Sequence, residues 1–195
     1  MNRTMAQCKA DLRRELRRPG RSAEERRALS QAACNRLQQE PCWTAAKTIL
    51  FYSARGDEID LAGLIEEALA GGRTAALLKF EPASNAYSSF QVKDLARDCA
   101  PGKFGLAEPG PRCGSVPVNQ LDLVLVPGVA FDPAGHRLGR GRGYYDRLLA
   151  GVAGIKCGVA FDEQIVPTLP VEPHDIILDC IVTPTRWLDV RSRTV

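Results

Sequence analysis

Apolar and polar positions change their period several times along the chain. Over residues 6–18, Cys8, Leu12 and Leu16 recur every fourth residue, the stripe of an amphipathic helix, and Pro19-Gly20 stops it. Ser22, followed three residues later by Glu25, has the form of a capping box and opens a second helix running toward Glu40-Pro41, so the chain begins with a helical pair. Apolar runs at 48–52, 74–80, 121–126, 155–161 and 180–183 then read as strands, and the segments 61–70 and 144–150 as helices. Strands alternating with helices predict an α/β fold: a mostly parallel open sheet with helices on both faces, a Rossmann-like three-layer arrangement. The stretch 81–119 is rich in Pro, Gly, Ser and Asn and reads as irregular, with one short strand at 89–92. There is no internal repeat.

Composition narrows the class. The 195 residues are 45% hydrophobic and 25% charged, which excludes disordered and fibrous chains and suits one domain, 1–195, that buries its own core. Net charge is only +3, but the first 27 residues hold nine basic and four acidic side chains. A second basic zone, Arg137, Arg140, Arg142 and Arg147, has Asp146 as its acidic neighbour. Two arginine zones on a near-neutral body predict a small phosphorylated or carboxylated ligand rather than a nucleic-acid coat. Seven cysteines without a Cys-x-x-Cys pair, and only two histidines, indicate neither a disulfide framework nor a zinc site. No apolar run approaches the ~20 residues of a membrane span, and the start carries no apolar signal segment. We therefore expect a cytoplasmic protein with no membrane partner, and nothing demands more than a monomer.

The segment 127–146, between a strand and a helix, carries the chemistry. Gly139, Gly141 and Gly143 let backbone N–H groups turn toward a phosphate, and the helix opening near Tyr144 presents a positive dipole end. Arg140 and Arg142 add planar guanidinium forks, and Asp146 a carboxylate suited to a hard metal ion. The segment is neither a Walker A box nor the dinucleotide Gly-x-Gly-x-x-Gly pattern. These residues alone leave open a kinase or other nucleotide-dependent transferase that uses this loop, and an RNA-binding module on the N-terminal helices. The last would need base-stacking aromatics that the first helices lack.

The same segment resembles the signature of the 5-formyltetrahydrofolate cyclo-ligases: Pro127-Gly128, Phe131-Asp132, Gly135-x-Arg137-Leu138-Gly139, then Gly141-x-Gly143-Tyr144-Tyr145-Asp146. Lys9-x-x-x-Arg13, Asp57-Glu58, Gly105-x-x-Glu108-Pro109 and Glu172-x-His174-Asp175 follow the family's order, so the resemblance covers nearly the whole chain. Leu78-Lys79 departs from it, standing where the family has a Pro-Arg-like pair. The resemblance implies ATP- and Mg2+-dependent closure of 5-formyltetrahydrofolate to 5,10-methenyltetrahydrofolate, with ADP and phosphate released, through a phosphorylated formyl group. It implies that Lys9, Arg13, Arg137, Leu138, Gly139, Arg140, Gly141, Arg142, Gly143, Tyr144 and Tyr145 bind ATP. Tyr52, Glu58 and the stretch from Arg140 through Gly141, Arg142 and Gly143 to Tyr144 would bind the folate. Arg140, Arg142 and Tyr144 would be catalytic, and Asp146 and Asp175 would hold Mg2+. His136 and His174 are expected to be a turn residue and a spacer, and the cysteines packing residues.

Overall fold

The computed structural model describes residues 4–16, 21–102 and 105–193. Its elements, in chain order, are α1 (Met5–Glu15), α2 (Ala23–Gln38), α3 (Pro41–Ala45), β1 (Thr48–Phe51), α4 (Ala62–Ala70), β2 (Thr74–Glu81), β3 (Ala86–Val92), α5 (Leu95–Asp98), β4 (Cys99–Pro101), β5 (Ala107–Pro109), β6 (Leu123–Val126), β7 (Ala130–Phe131), β8 (Arg137–Leu138), α6 (Tyr144–Leu149), β9 (Ile155–Val159), β10 (Cys180–Val182) and β11 (Trp187–Asp189). Seven strands form the main sheet in the order β11-β10-β9-β6-β1-β2-β3. The five from β10 to β2 are parallel, and the outer strands β11 and β3 run antiparallel to them.

Burial explains why these segments are strands. β6 is Leu123-Val124-Leu125-Val126, buried on both faces as the middle of a parallel sheet requires. In β1 the faces divide: Ile49 and Phe51 pack with Leu37 of α2, Trp43 of α3 and Leu64 of α4, whereas Leu50 packs with Leu148 and Leu149 of α6. Each such side chain contributes about 1.5–3 kcal/mol relative to exposure. The three-layer expectation holds.

The structure departs locally from these expectations. The two N-terminal helices form, but they part: α2 lies on the sheet, while α1 sets Leu12 and Leu16 against Ala130, Leu138 and Leu169. The most buried residue of α1 is Lys9, a charge whose partners lie far along the chain. The expected end of this helix at Arg18 and Pro19-Gly20 lies outside the described residues; Leu16 caps α1. At its start, Thr4 and Gln7 make a reciprocal capping box, whereas Ser22 accepts from Glu25 N on α2. The stretch read as irregular contains all of β3 and the small β4–β5 ribbon, because β3 pairs residue for residue with β2 from Ala75↔Val92 to Glu81↔Ala86. Residues 114–116 cover its outer edge, Gln91 N donating to Gly114 O and Val116 N to Ser89 O. Finally, the segment 127–146 holds the β7–β8 hairpin, fastened by buried Asp132, which accepts from Ala134 N, His136 N and Leu169 N.

β1 and β6 are neighbours, and the chain leaves them toward opposite sides of the sheet, to β2 and to β9. The crevice beyond their carboxyl ends is where open α/β sheets bind ligands.

Candidate active site

A cavity of about 470 Å³ opens there. Tyr52 and Ser53 line it from beyond β1, and Pro127 and Gly128 from beyond β6. α1 contributes Lys9 and Arg13, the loop after β1 Arg55 and Glu58, and the segment from β8 into the first turn of α6 everything from Arg137 to Asp146; Glu172, His174 and Asp175 close the far side. All the residues singled out for a site in the sequence line this one cavity.

The glycines do what the loop requires. Gly141 (φ +92°) and Gly143 (φ +61°) occupy the left-handed region, and the Gly139 carbonyl accepts from Arg13 Nε at 2.6 Å. A Cβ on Gly141 would lie 3.4 Å from the Arg13 guanidinium, so α1 and the loop touch at closest approach. Arg137 is buried, with Nη2 2.9 Å from Asp146 Oδ1 and Nη1 3.5 Å from the Pro127 carbonyl. Its Nε is buried without a hydrogen-bond partner among the described residues. An unmet buried donor costs free energy unless an acceptor fills it, and this one belongs to the cavity wall.

Charge is concentrated. Lys9 Nζ donates to Asp175 Oδ2 at 2.5 Å and to Glu172 Oε2 at 2.8 Å. Burial works against the Lys9 ammonium, but hydrogen bonds and charge from Asp175 and Glu172 outweigh it and raise its pKa. Burial likewise opposes the Asp175 carboxylate, yet the Lys9 bond and the Glu172 N–H hold it below the usual carboxylate range. Arg13, burdened chiefly by desolvation, is lowered. Arg140 spans the mouth, its Nη2 at 2.8 and 2.9 Å from the Asp57 oxygens and 3.1 Å from Glu58 Oε1. Arg142 is exposed at the rim, its carbonyl accepting from Arg147 Nη1.

Aromatic residues form the remaining wall. Tyr52 is buried and its hydroxyl donates to Ile59 O at 2.9 Å, so its ring, rather than its oxygen, faces the cavity chemistry. Burial pushes the Tyr52 phenol well above its ordinary value. Tyr144 meets Tyr87 and Phe80 edge to face at 5.1 and 5.8 Å, and its hydroxyl donates to Asn85 Oδ1 at 3.2 Å. Tyr145 lies beside the Arg137 guanidinium, 5.4 Å from the ring centroid, and desolvation raises its phenol.

Asp146 and Asp175 share the cavity, but each faces a cation of this chain, Arg137 and Lys9 respectively. Glu172, His174 and Asp175 bring possible ligand atoms within 4.8 Å of one another. Sequence reasoning did not name Tyr87, Leu78, Leu106 or Ala107 as cavity residues, and gave Glu172 no role. Glu172 stood in a recognised motif; Tyr87 had no signal, because only the β2–β3 pairing carries it to Tyr144. His136 sits in the hairpin turn against Asp132, as expected. All seven cysteines are free thiols, four of them buried.

Comparison with known proteins gives the same cluster of relatives throughout. The 5-formyltetrahydrofolate cyclo-ligase of Escherichia coli strain K12 is 32% identical over 174 residues, covering 87% of this chain and 96% of its own. A 5,10-methenyltetrahydrofolate synthetase structure from Aquifex aeolicus superimposes with a TM-score of 0.84 at 37% identity, over 94% of this chain and 93% of that one. One from Mycoplasma pneumoniae does so with a TM-score of 0.72 at 25% identity, over 90% and 98%. The sequence model of one family matches residues 5–184, and by that span, together with these relatives, the chain belongs to the 5-formyltetrahydrofolate cyclo-ligase family of enzymes.

Proposed function

We propose that this enzyme closes 5-formyltetrahydrofolate to 5,10-methenyltetrahydrofolate at the expense of ATP, with Mg2+, releasing ADP and phosphate through a phosphorylated formyl (iminophosphate) intermediate. It works as a monomeric single domain, 1–195, in the cytoplasm, on a small molecule and without nucleic-acid or membrane partners. The observation that carries this reading is the convergence of α1, the loop after β1, the segment 127–146 and residues 172–175 on one cavity.

The residues fit both implied groups. Lys9, Arg13, Arg137 and Arg140 suit a polyphosphate, and the unmet Arg137 Nε supplies a buried donor for an anionic oxygen. The carboxylates of Asp146 and Asp175 are the hard oxygen donors that Mg2+ prefers. When bound, MgATP supplies the phosphoryl group that turns the formyl oxygen into a leaving group.

What the chain does is hold and neutralise. Lys9 and Arg13 bind the nucleotide from α1, and Arg137, Leu138, Gly139 and Tyr145 shape its other side. Arg140 and Arg142, with the turned backbone of Gly141 and Gly143, stabilise charge developing between donor and acceptor. Tyr144, fixed by Phe80, Tyr87 and Asn85, sets its ring beside the formyl group. Tyr52 offers the folate an apolar face, and Glu58 accepts from the pterin's N–H donors. Positioning two reacting centres of one molecule needs no covalent enzyme intermediate.

The test is near-ultraviolet absorbance of the protein with 5-formyltetrahydrofolate and Mg2+, with and without ATP, alongside an ADP assay. We expect an ATP-dependent band of the conjugated methenyl product with one ADP per product. ADP release without that band, or a phosphorylated product that persists, overturns the proposal in favour of phosphoryl transfer to another acceptor.

A further inference from the structure

We propose that Asp57 is a positioning residue that draws Arg140 away from Glu58 so that Glu58 can accept from the folate ring. This rests on the folate reading above. Glu58 is buried, and its loop is pinned: Tyr52 holds Ile59 O, Ser30 Oγ accepts from Asp60 N, and Arg26 bonds both Arg55 O and Asp60. One carboxylate oxygen of Glu58, Oε2, already accepts from Arg55 N at 2.9 Å. The other, Oε1, is the one that remains for a ligand, and Arg140 Nη2 sits 3.1 Å from it.

A guanidinium beside a buried carboxylate is a strong competitor for any neutral N–H donor from a substrate. The competition is relieved if a second carboxylate offers Arg140 an equally good place one short step away. Asp57 does this. Both its oxygens are nearer to the same Nη2 than Glu58 is, at 2.8 and 2.9 Å. Asp57 is outside the cavity lining, its side chain is 58% exposed, and it has no other hydrogen-bond partner among the described residues. Arg140 therefore never loses a counter-charge as Glu58 turns to the substrate, and no buried charge is stranded.

The consequence separates the two substrates. In Asp57→Asn, Arg140 falls back on Glu58 and the folate must displace it. The KM for 5-formyltetrahydrofolate rises about threefold to fivefold, the size an exposed charge pair supports, while kcat and the KM for ATP stay within about twofold. Folate binding without ATP, followed by quenching of intrinsic fluorescence, weakens by the same factor, and Asp57→Glu restores it. A loop merely loosened by the substitution would raise both KM values together. Equal rises in both, or an unchanged folate KM in an active wild type, overturns the role of Asp57 and leaves the reaction standing. A wild type that forms no methenyl product removes the reaction and this role with it.

Discussion

Lys9→Met removes the ammonium that bonds both Glu172 and Asp175 while keeping the aliphatic bulk of the side chain. Lys9 is 7% exposed, and the side chains of Asp175 and Glu172 are 13% and 31% exposed. Breaking a fully buried ion pair from one side costs about 3–5 kcal/mol. Water reaches Glu172, so the loss here is about 2 kcal/mol, which for a chain of this size lowers the melting temperature by about 4–8 °C. The pH dependence follows from the two shifts. The Lys9 pKa is raised, so its contribution is whole below the ordinary 10.5 and is lost as pH climbs through the folded-state value. The Asp175 pKa is lowered, so its contribution is whole above the ordinary 3.8 and is lost as pH falls through the folded-state value. The gap between wild type and variant is flat across neutral pH and closes at both extremes. Scanning calorimetry of the ligand-free proteins measures it, with Asp175→Asn as the second corner of a double-mutant cycle. A melting temperature within 1 °C of wild type, or a Lys9→Met loss undiminished in the Asp175→Asn background, would refute the pairing argument; the 1 °C limit is about a quarter of the smallest expected shift.

Other expectations are as direct. Arg140→Ala lowers turnover about 100- to 1,000-fold, as loss of one preorganised donor does, and also lowers the melting temperature, because the buried Glu58 carboxylate loses its cation; steady-state kinetics and calorimetry on one preparation check both. Tyr52→Phe strips the Ile59 carbonyl of its buried donor and costs about 1–2 kcal/mol in denaturant unfolding, with an unchanged m-value. Gly154→Ala drives a methyl group into the Leu121 and Asp122 carbonyls ahead of β9, where only backbone could yield; the variant is expected in the insoluble fraction on expression, and soluble protein of native stability would refute the close approach.

How much of this was legible beforehand depends on how far each interaction reaches along the chain. The parallel core was plain because Leu123–Val126 and Thr48–Phe51 declare themselves by local composition. The loop before α6 and that helix's first turn were plain for the same reason: Gly139 through Asp146 is contiguous. Tyr87 was invisible, since β3 carries mixed polarity and gains its meaning from pairing with β2 and from Tyr144, which lies 57 residues farther on by number. The hairpin β7–β8 hid inside a segment dominated by glycine and arginine, and only Asp132, collecting N–H groups from Ala134, His136 and Leu169, explains its closure. The stripe of Cys8, Leu12 and Leu16 announced α1 correctly as a helix, yet its most buried residue is Lys9, which lies outside that stripe.

That placement of α1 has a consequence in time. α1 takes its anchors from residues made much later than itself: Lys9 bonds across 163 and 166 positions, and Arg13 across 126. At roughly 5–20 residues per second, α1 waits on the order of ten seconds for Glu172 and Asp175 to be synthesised. A nascent chain cut short before residue 172 can already hold β1, β2, β6 and β9 side by side, but it lacks both β10 and the far wall of the cavity. The order of synthesis therefore keeps the site open until Glu172 and Asp175 have been made, and products cut short of them carry β1, β2, β6 and β9 without the closed pocket.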